Sequence, residues 1–284
     1  YDEFYLKEGR HPERSDLDQA VSDNPVKLTH RSGHAVVLNS MGLALVGITR
    51  EMADPEGSVI ERDAKSGEPT GLLFEMGEYL DRVIPDISGD EMSKGIKLFS
   101  EMCLSYGITS LQDATIHNNV ERMKLFKDFK QKGLLVPSMI FMIGEGHLKE
   151  FVDNGHKFMD IVDGVCLGAV KIMLTLTTGV LHPSPGDLRR IINYAARNGF
   201  QVAIHAVDHE AVAEAAKALA TLERFAGNSL RHRIEHGSEC KPEIMSIIAS
   251  NDISVVTQPG FLYYSGERYL SKVDSHYQKW LYPI

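Results

Sequence analysis

Gly168-Ala169-Val170-Lys171-Ile172-Met173-Leu174 is an almost unbroken apolar run with one lysine inside it. Phe200-Gln201-Val202-Ala203-Ile204-His205 repeats the pattern and ends on a histidine, and Arg231-His232-Arg233-Ile234-Glu235-His236 ends on another. Apolar runs of this length that do not alternate suit strands covered on both faces. Each is followed by a helix-like segment. Ser184-Pro185 supplies an N-cap and a first-turn proline for one over 184–199. An alanine-rich stretch over 210–225 forms the second, and 242–250 the third. Repeated strand–helix units give parallel sheets with right-handed crossovers. In a βα barrel the strand ends converge on one face, where active sites are built. Lys171, His205 and His236 therefore read as one site, either a metal centre or a lysine-based covalent site.

The same rhythm extends outward from these three strands. It begins with a helix over 90–106 that Gly107 stops. A strand over 108–112, a helix over 120–132, a strand over 135–141 and a helix from about 147 lead to the lysine strand at 165–174. A last strand at 253–257 places Gln258 at its end. No glycine-rich phosphate loop follows the first strand, which disfavours a dinucleotide-binding sheet. The expected fold is α/β, a (β/α)8 TIM-barrel type that is incomplete in this chain, because about six strands are visible and closure takes eight. Residues 1–89 lack the rhythm. Strands over 25–30 and 34–38, short helices over 16–21 and 41–46, and a hairpin pairing 58–62 with 71–74 predict a smaller β-rich N-terminal subdomain. The expected division is therefore 1–89 and 90–284.

Composition bounds the partners. With 30 basic and 39 acidic residues the formal net charge of the 284-residue chain is -9, which excludes a generic nucleic-acid surface. No apolar run reaches the roughly 20 residues of a membrane span. The three cysteines are widely spaced, so no disulfide framework or CxxC zinc site is expected, and a reducing cytoplasm is the default location. The scattered methionines read as core filling. His11, His117, His147, His156, His182, His209 and His276 read as surface residues.

The individual candidates differ in strength. A lysine buried among Val170, Ile172, Met173 and Leu174 is costly unless paired or neutralised. Period-two alternation puts His232, Ile234 and His236 on one face of their strand and Arg231, Arg233 and Glu235 on the other. Gln112, Asp113 and Gln258 end their own strands and are expected to line the site. His30 and His34 flank the turn Arg31-Ser32-Gly33, which is a substrate loop or a solvated hairpin.

Ser32-Gly33-His34-Ala35-Val36-Val37-Leu38-Asn39-Ser40 resembles the GHxxxxNS segment of the amidohydrolase family 3 proteins, within the metal-dependent amidohydrolase superfamily. His11-Pro12 with Asp16-Leu17-Asp18, Gly67-Glu68-Pro69-Thr70-Gly71-Leu72-Leu73, Val170-Lys171, His205-Ala206, 231–236 and Thr257-Gln258-Pro259 match it in order over essentially the whole chain. The resemblance implies a TIM-barrel hydrolase with one or two divalent ions, usually zinc. It gives Lys171 the role of the carboxylated lysine that bridges metals, and His205 and His236 the roles of metal ligands. His34, Gln112, Asp113 and Gln258 become the substrate-binding candidates. Metal-activated water attacking an amide-like carbon is the implied chemistry.

Three departures qualify the match. No HxH string occurs anywhere in the chain, and the strand-terminal aspartate that serves the family as proton shuttle is expected beyond Ile284. Ser32, the Thr175-Leu176-Thr177-Thr178-Gly179 stretch and Val207-Asp208 replace residues usual in the family. The expectation is therefore a hydrolase of carbon–nitrogen bonds other than peptide bonds, in a fragment that is catalytically silent alone. Its catalytic acid–base residue is unknown, its partner is a small-molecule substrate, and a homodimer is the candidate assembly. Two alternatives stand beside it: a lyase or aldolase-type barrel in which Lys171 forms a Schiff base, and a non-catalytic binding module on a decayed barrel.

Overall fold

Two units, Tyr1–Ser88 and Gly89–Ile284, each organise around a sheet of their own in a computed structural model that describes residues 1–55, 57–176, 179–222 and 230–283. The first unit contains β1 (Lys27–Thr29), β2 (Ala35–Leu38), β3 (Val59–Arg62) and β4 (Pro69–Phe74) in the antiparallel order β1-β2-β4-β3. Helices α1 (Arg14–Ala20), α2 (Ser40–Leu45) and α3 (Gly77–Val83) accompany it. Strand β2 is buried on both faces. Val36 and Leu38 pack with Leu43, Ile60, Leu73 and Leu80, whereas Ala35 and Val37 pack with Leu72. Asn39, fully buried, joins this core to the next helix. Its Oδ1 accepts from Gly42 N and Val26 N, and its Nδ2 donates to Val21 O and Asn24 O. The helix is thus capped by Asn39 rather than by Ser40.

The second unit carries β5 (Ser110–Asp113), β6 (Ser138–Gly144), β7 (Ile161–Val162), β8 (Val165–Met173), β9 (Val202–Ala206), β10 (Arg233–His236) and β11 (Ser254–Val256). Its helices are α4 (Gly89–Ser105), α5 (Val120–Gln131), α6 (Leu148–Asp153), α7 (Pro185–Arg197), α8 (His209–Ala220), α9 (Pro242–Ser250), α10 (Gly260–Lys272) and α11 (Ser275–Gln278). Six strands run parallel in the order β5-β6-β8-β9-β10-β11, with β7 antiparallel on β8. The sheet curls as a half-barrel. Val170, Ile172, Val202, Ile204 and Ile234 turn to one face, where they pack with Leu188 and Ile192 of α7 and Ala215 of α8. Met142, Ala169 and Ala203 form a small apolar cluster of their own.

Boundaries moved where local chemistry forbade the expected ones. The strand expected over 135–141 runs Ser138–Gly144, because Pro137 has no N–H for the ladder and Leu135 instead packs into the core. Ser184 caps α7 as expected, accepting from Asp187 N. The helix expected over 210–225 is α8, and positions 223–225 lie outside the described residues. The short helix α3 and the helices α10 and α11 had no counterpart in the sequence reading.

Gly144 ends β6 opposite Lys171 in the register. A Cβ there would collide with the carbonyl of Ile116, so the loop following β5 crosses directly over this position. Gly144→Ala is expected to destabilise the fold by about 1–3 kcal/mol, the range for forced overpacking. A urea midpoint unchanged from the parent protein counts against this close crossing.

Candidate functional site

Strand β8 alternates Val170, Ile172 and Leu174, all in the helix-covered core, with Ala169, Lys171 and Met173. Lys171 is 5% exposed. Among the described residues its ammonium makes no hydrogen bond. Burial pushes its pKa down, the Glu235 carboxylate pulls it up, and Arg233 adds to the depression. Burial thus disfavours the charged form of this amine.

His205 pairs with Glu235 in the β9–β10 register, and Met173 pairs with His205 across β8–β9. His205 is held at a pKa of about 4, chiefly by burial, then by His236 and Lys171. The His205 and His236 rings meet edge to face with centroids 4.8 Å apart. All three predicted ligands are thus brought together.

His236 reaches this position by an unusual route. Ile234 lies in the helix-covered core, whereas Arg233 reaches Gln112 and Met142 on strands across the half-barrel. Arg233 and Glu235 therefore face the concave side and Ile234 the helix side, a choice the alternation alone leaves open, and the expected grouping of His236 with Ile234 on one face does not hold. The buried ring of His232 is spent accepting the N–H of Val202, and burial holds its pKa at about 4. His236 joins the site because its backbone leaves the strand at φ 73°. That left-handed conformation costs a non-glycine residue about 1–2 kcal/mol, and strain of this kind gathers at functional sites.

The His236 tautomer follows from its neighbour. The Gln258 amide nitrogen donates to Val256 O at 3.4 Å, so its oxygen faces the imidazole. Nδ1–H of His236 therefore donates to Gln258 Oε1 at 2.7 Å. Nε2 is the nitrogen left for a ligand bond, the arrangement by which an outer hydrogen bond orients a ligand histidine.

The remaining candidates fall differently. Gln112 accepts from Arg233 at 3.1 Å. Asp113 braces its own loop, accepting from Thr115 N and Asn118 Nδ2. His34 belongs to the first unit and pairs on its surface with Glu75. His30 faces Glu3 at 2.8 Å. Asp2, Glu3 and His30 stand close enough to one another to share a cation, but Asp2 is already paired with Arg31 and Glu3 lies 2.8 Å from His30. Several histidines expected at the surface are half-buried. His209 stacks on Tyr277 with ring centroids 5.2 Å apart, and His11 bonds the Tyr1 hydroxyl at 2.8 Å.

Sequence reasoning missed three acids. Glu235, 8% exposed, is bound by Arg233 Nε at 2.6 Å. Glu145 follows β6 directly, one oxygen buried without a partner. Burial raises its pKa against the Met173 N–H and His182. Glu239 lies just past His236, raised by burial and accepting from His209 N. The usable signal was an acid one to three residues past an apolar run; the shifted β6 boundary concealed Glu145.

The depressed pKa values of His205 and His232 fix a sign. Both are neutral in the fold and take up protons more readily when unfolded, at about 6.5. Their stabilisation is present above pH 6.5 and is lost as the pH falls towards about 4. In the presence of a chelator the protein is expected to lose stability steadily across that window in urea melts. A flat profile there refutes buried neutral histidines.

All 284 positions match the family model described as the amidohydrolase family. A protein of Bacillus subtilis (strain 168) named for the amidohydrolases, YtcJ, is 28% identical over 274 residues, covering 88% of this chain and 50% of its own length. The N-substituted formamide deformylase of Arthrobacter pascens is 25% identical over 292 residues, covering 93% and 53%. An uncharacterized metal-dependent hydrolase from Pyrococcus horikoshii OT3 superposes with a TM-score of 0.68 at 20% identity, over 96% of this chain and 56% of that one. The chain thus spans about half the length of the relatives it matches. Among the described residues no helix is long and apolar enough to cross a membrane.

Proposed function

The chain belongs to the amidohydrolase family, and from that premise we propose that it carries half of the metal site of a hydrolase acting on non-peptide carbon–nitrogen bonds. The observation that carries this reading is the meeting of two imidazoles, His205, held at a pKa of about 4, and His236, whose Nδ1 is committed to Gln258, with ring centroids 4.8 Å apart. Neutral imidazole is the form that binds a divalent ion, and His205 already has that form near neutral pH.

The donor set fits a divalent cation. His205 and His236 would hold it, with Lys171 as a carbamate. Zinc is the ion this donor chemistry suits. When bound, the ion supplies Lewis acidity toward the scissile carbonyl and acidity to water. Lys171 meets the requirement for carbamate formation: a neutral amine adds to carbon dioxide and releases one proton, and burial already favours the neutral amine. Gln258 fixes the His236 ring, and Arg233 neutralises Glu235 below the ligands. Gln112 and Asp113 are the proposed substrate-side residues, and His34, which belongs to the first unit, is left out of this site. We place the site wholly in the second unit.

The deformylase named among the relatives makes N-substituted formamides the first substrates to assay. The test is formate release by the full-length, metal-loaded protein from N-substituted formamides, with metal counted by plasma spectroscopy. Turnover with one or two zinc ions per chain is the expected result. Borohydride trapping of a keto compound on Lys171 would instead establish the Schiff-base reading, since a carbamate cannot form an imine.

A further inference from the structure

The first unit contains a cavity of about 290 Å³ whose walls hold Arg14, Arg50, Glu51 and Glu68 over an apolar floor that includes Leu43 and Ile48. Among the described residues, none of these four charged side chains forms an ion pair or a side-chain hydrogen bond. Four charges of both signs have thus collected around one hollow without neutralising one another. The nearby acid Asp18 does not serve the arginines either, because Ser40 occupies it through both N–H (2.9 Å) and Oγ (2.6 Å).

Arg14 is half-buried and Arg50 exposed, and each meets a glycine of the fold. Arg14 begins α1 beside Gly71, whose φ of 96° and missing Cβ let the Arg14 backbone approach β4. Arg50 lies against the β3–β4 turn, its Nε 3.3 Å from where Gly67 would carry a Cβ. Two unpaired guanidiniums match a carboxylate, to which the planar fork binds with two parallel hydrogen bonds. Two unpaired carboxylates on the same walls match an ammonium. The volume lies at the small end for ligand sites, which suits a small molecule.

We propose that this cavity binds a short aliphatic α-amino acid as a zwitterion, its carboxylate on Arg14 and Arg50 and its ammonium on Glu51 and Glu68. The site lies wholly within the first unit and is independent of the hydrolase reading.

The test is isothermal titration of the full-length protein with L-norvaline, and with valerate as the same body without the amine. Saturable norvaline binding, at least tenfold weaker in Arg14→Ala and in Arg50→Ala, is the expected result. Glu68→Gln should weaken norvaline and leave valerate unchanged. Arg50→Lys, which keeps the charge and removes the fork, should fall between. A thermal melt of each variant checks the fold. Absence of saturable norvaline binding overturns the proposal, as does undiminished binding by both arginine variants. Valerate binding as tightly as norvaline reduces the site to an anion pocket and also overturns it.

Discussion

Lys171→Ala in the full-length protein is expected to lower kcat/KM for a formamide substrate by about 10³-fold or more, equivalent to about 4 kcal/mol of transition-state stabilisation. The physical reason is specific to this lysine. Its amine is buried without a hydrogen bond among the described residues, burial disfavours its charge, and it sits with His205 and His236. Truncation removes the proposed carbamate oxygens and leaves a cavity the length of the lost side chain. Added acetate or propionate should therefore restore part of the activity and of the bound metal, by placing a carboxylate where the carbamate stood. Lys171→Met fills the same volume and should show no rescue. Equal rescue of both variants, or full metal content in Lys171→Ala, is incompatible with a ligand role. A lysine that only packs would lower stability in both without a carboxylate effect.

How much of this was legible follows the same physics. The apolar runs at 165–174 and 200–205 announced buried parallel strands, and the lysine and histidine within them stood out because such residues are expensive there. The 231–236 stretch was harder. Its alternation was visible, but alternation does not say which face is which. Ile234 in the helix-covered core decides the phase, and that is a tertiary fact. The sequence reading still placed His236 in the site, although by parity it would turn away. A left-handed backbone at the strand end supplies the missing rotation, and a histidine followed by Gly237 carries only a faint signal for it. Asp113 and Gln258 were visible as strand-end polar residues, but their partners, Asn118 and His236, depend on loop paths. Glu145 was concealed because Pro137 shifts β6 by three positions.

Glu235→Ala is expected to produce the largest loss of stability on the concave face, about 3–5 kcal/mol, the range for deleting one member of a buried ion pair. The side chains of Arg233 and Glu235 are 16% and 10% exposed and meet at 2.6 Å. Glu235 is also the carboxylate that offsets Lys171. Its removal leaves a guanidinium with one neutral partner, Gln112, and a thioether contact at Met142. It also depresses the Lys171 pKa further, because the one acid raising it is gone. Replacing both partners with apolar residues of similar volume, Arg233→Met with Glu235→Leu, should bring stability back to within about 1 kcal/mol of the parent, since no charge then remains unpaired. Urea melts of the two single variants and the double variant form the cycle that separates these terms. If the double variant is as unstable as Glu235→Ala, volume and not charge governs this face, and the ion pair does not set the environment of Lys171.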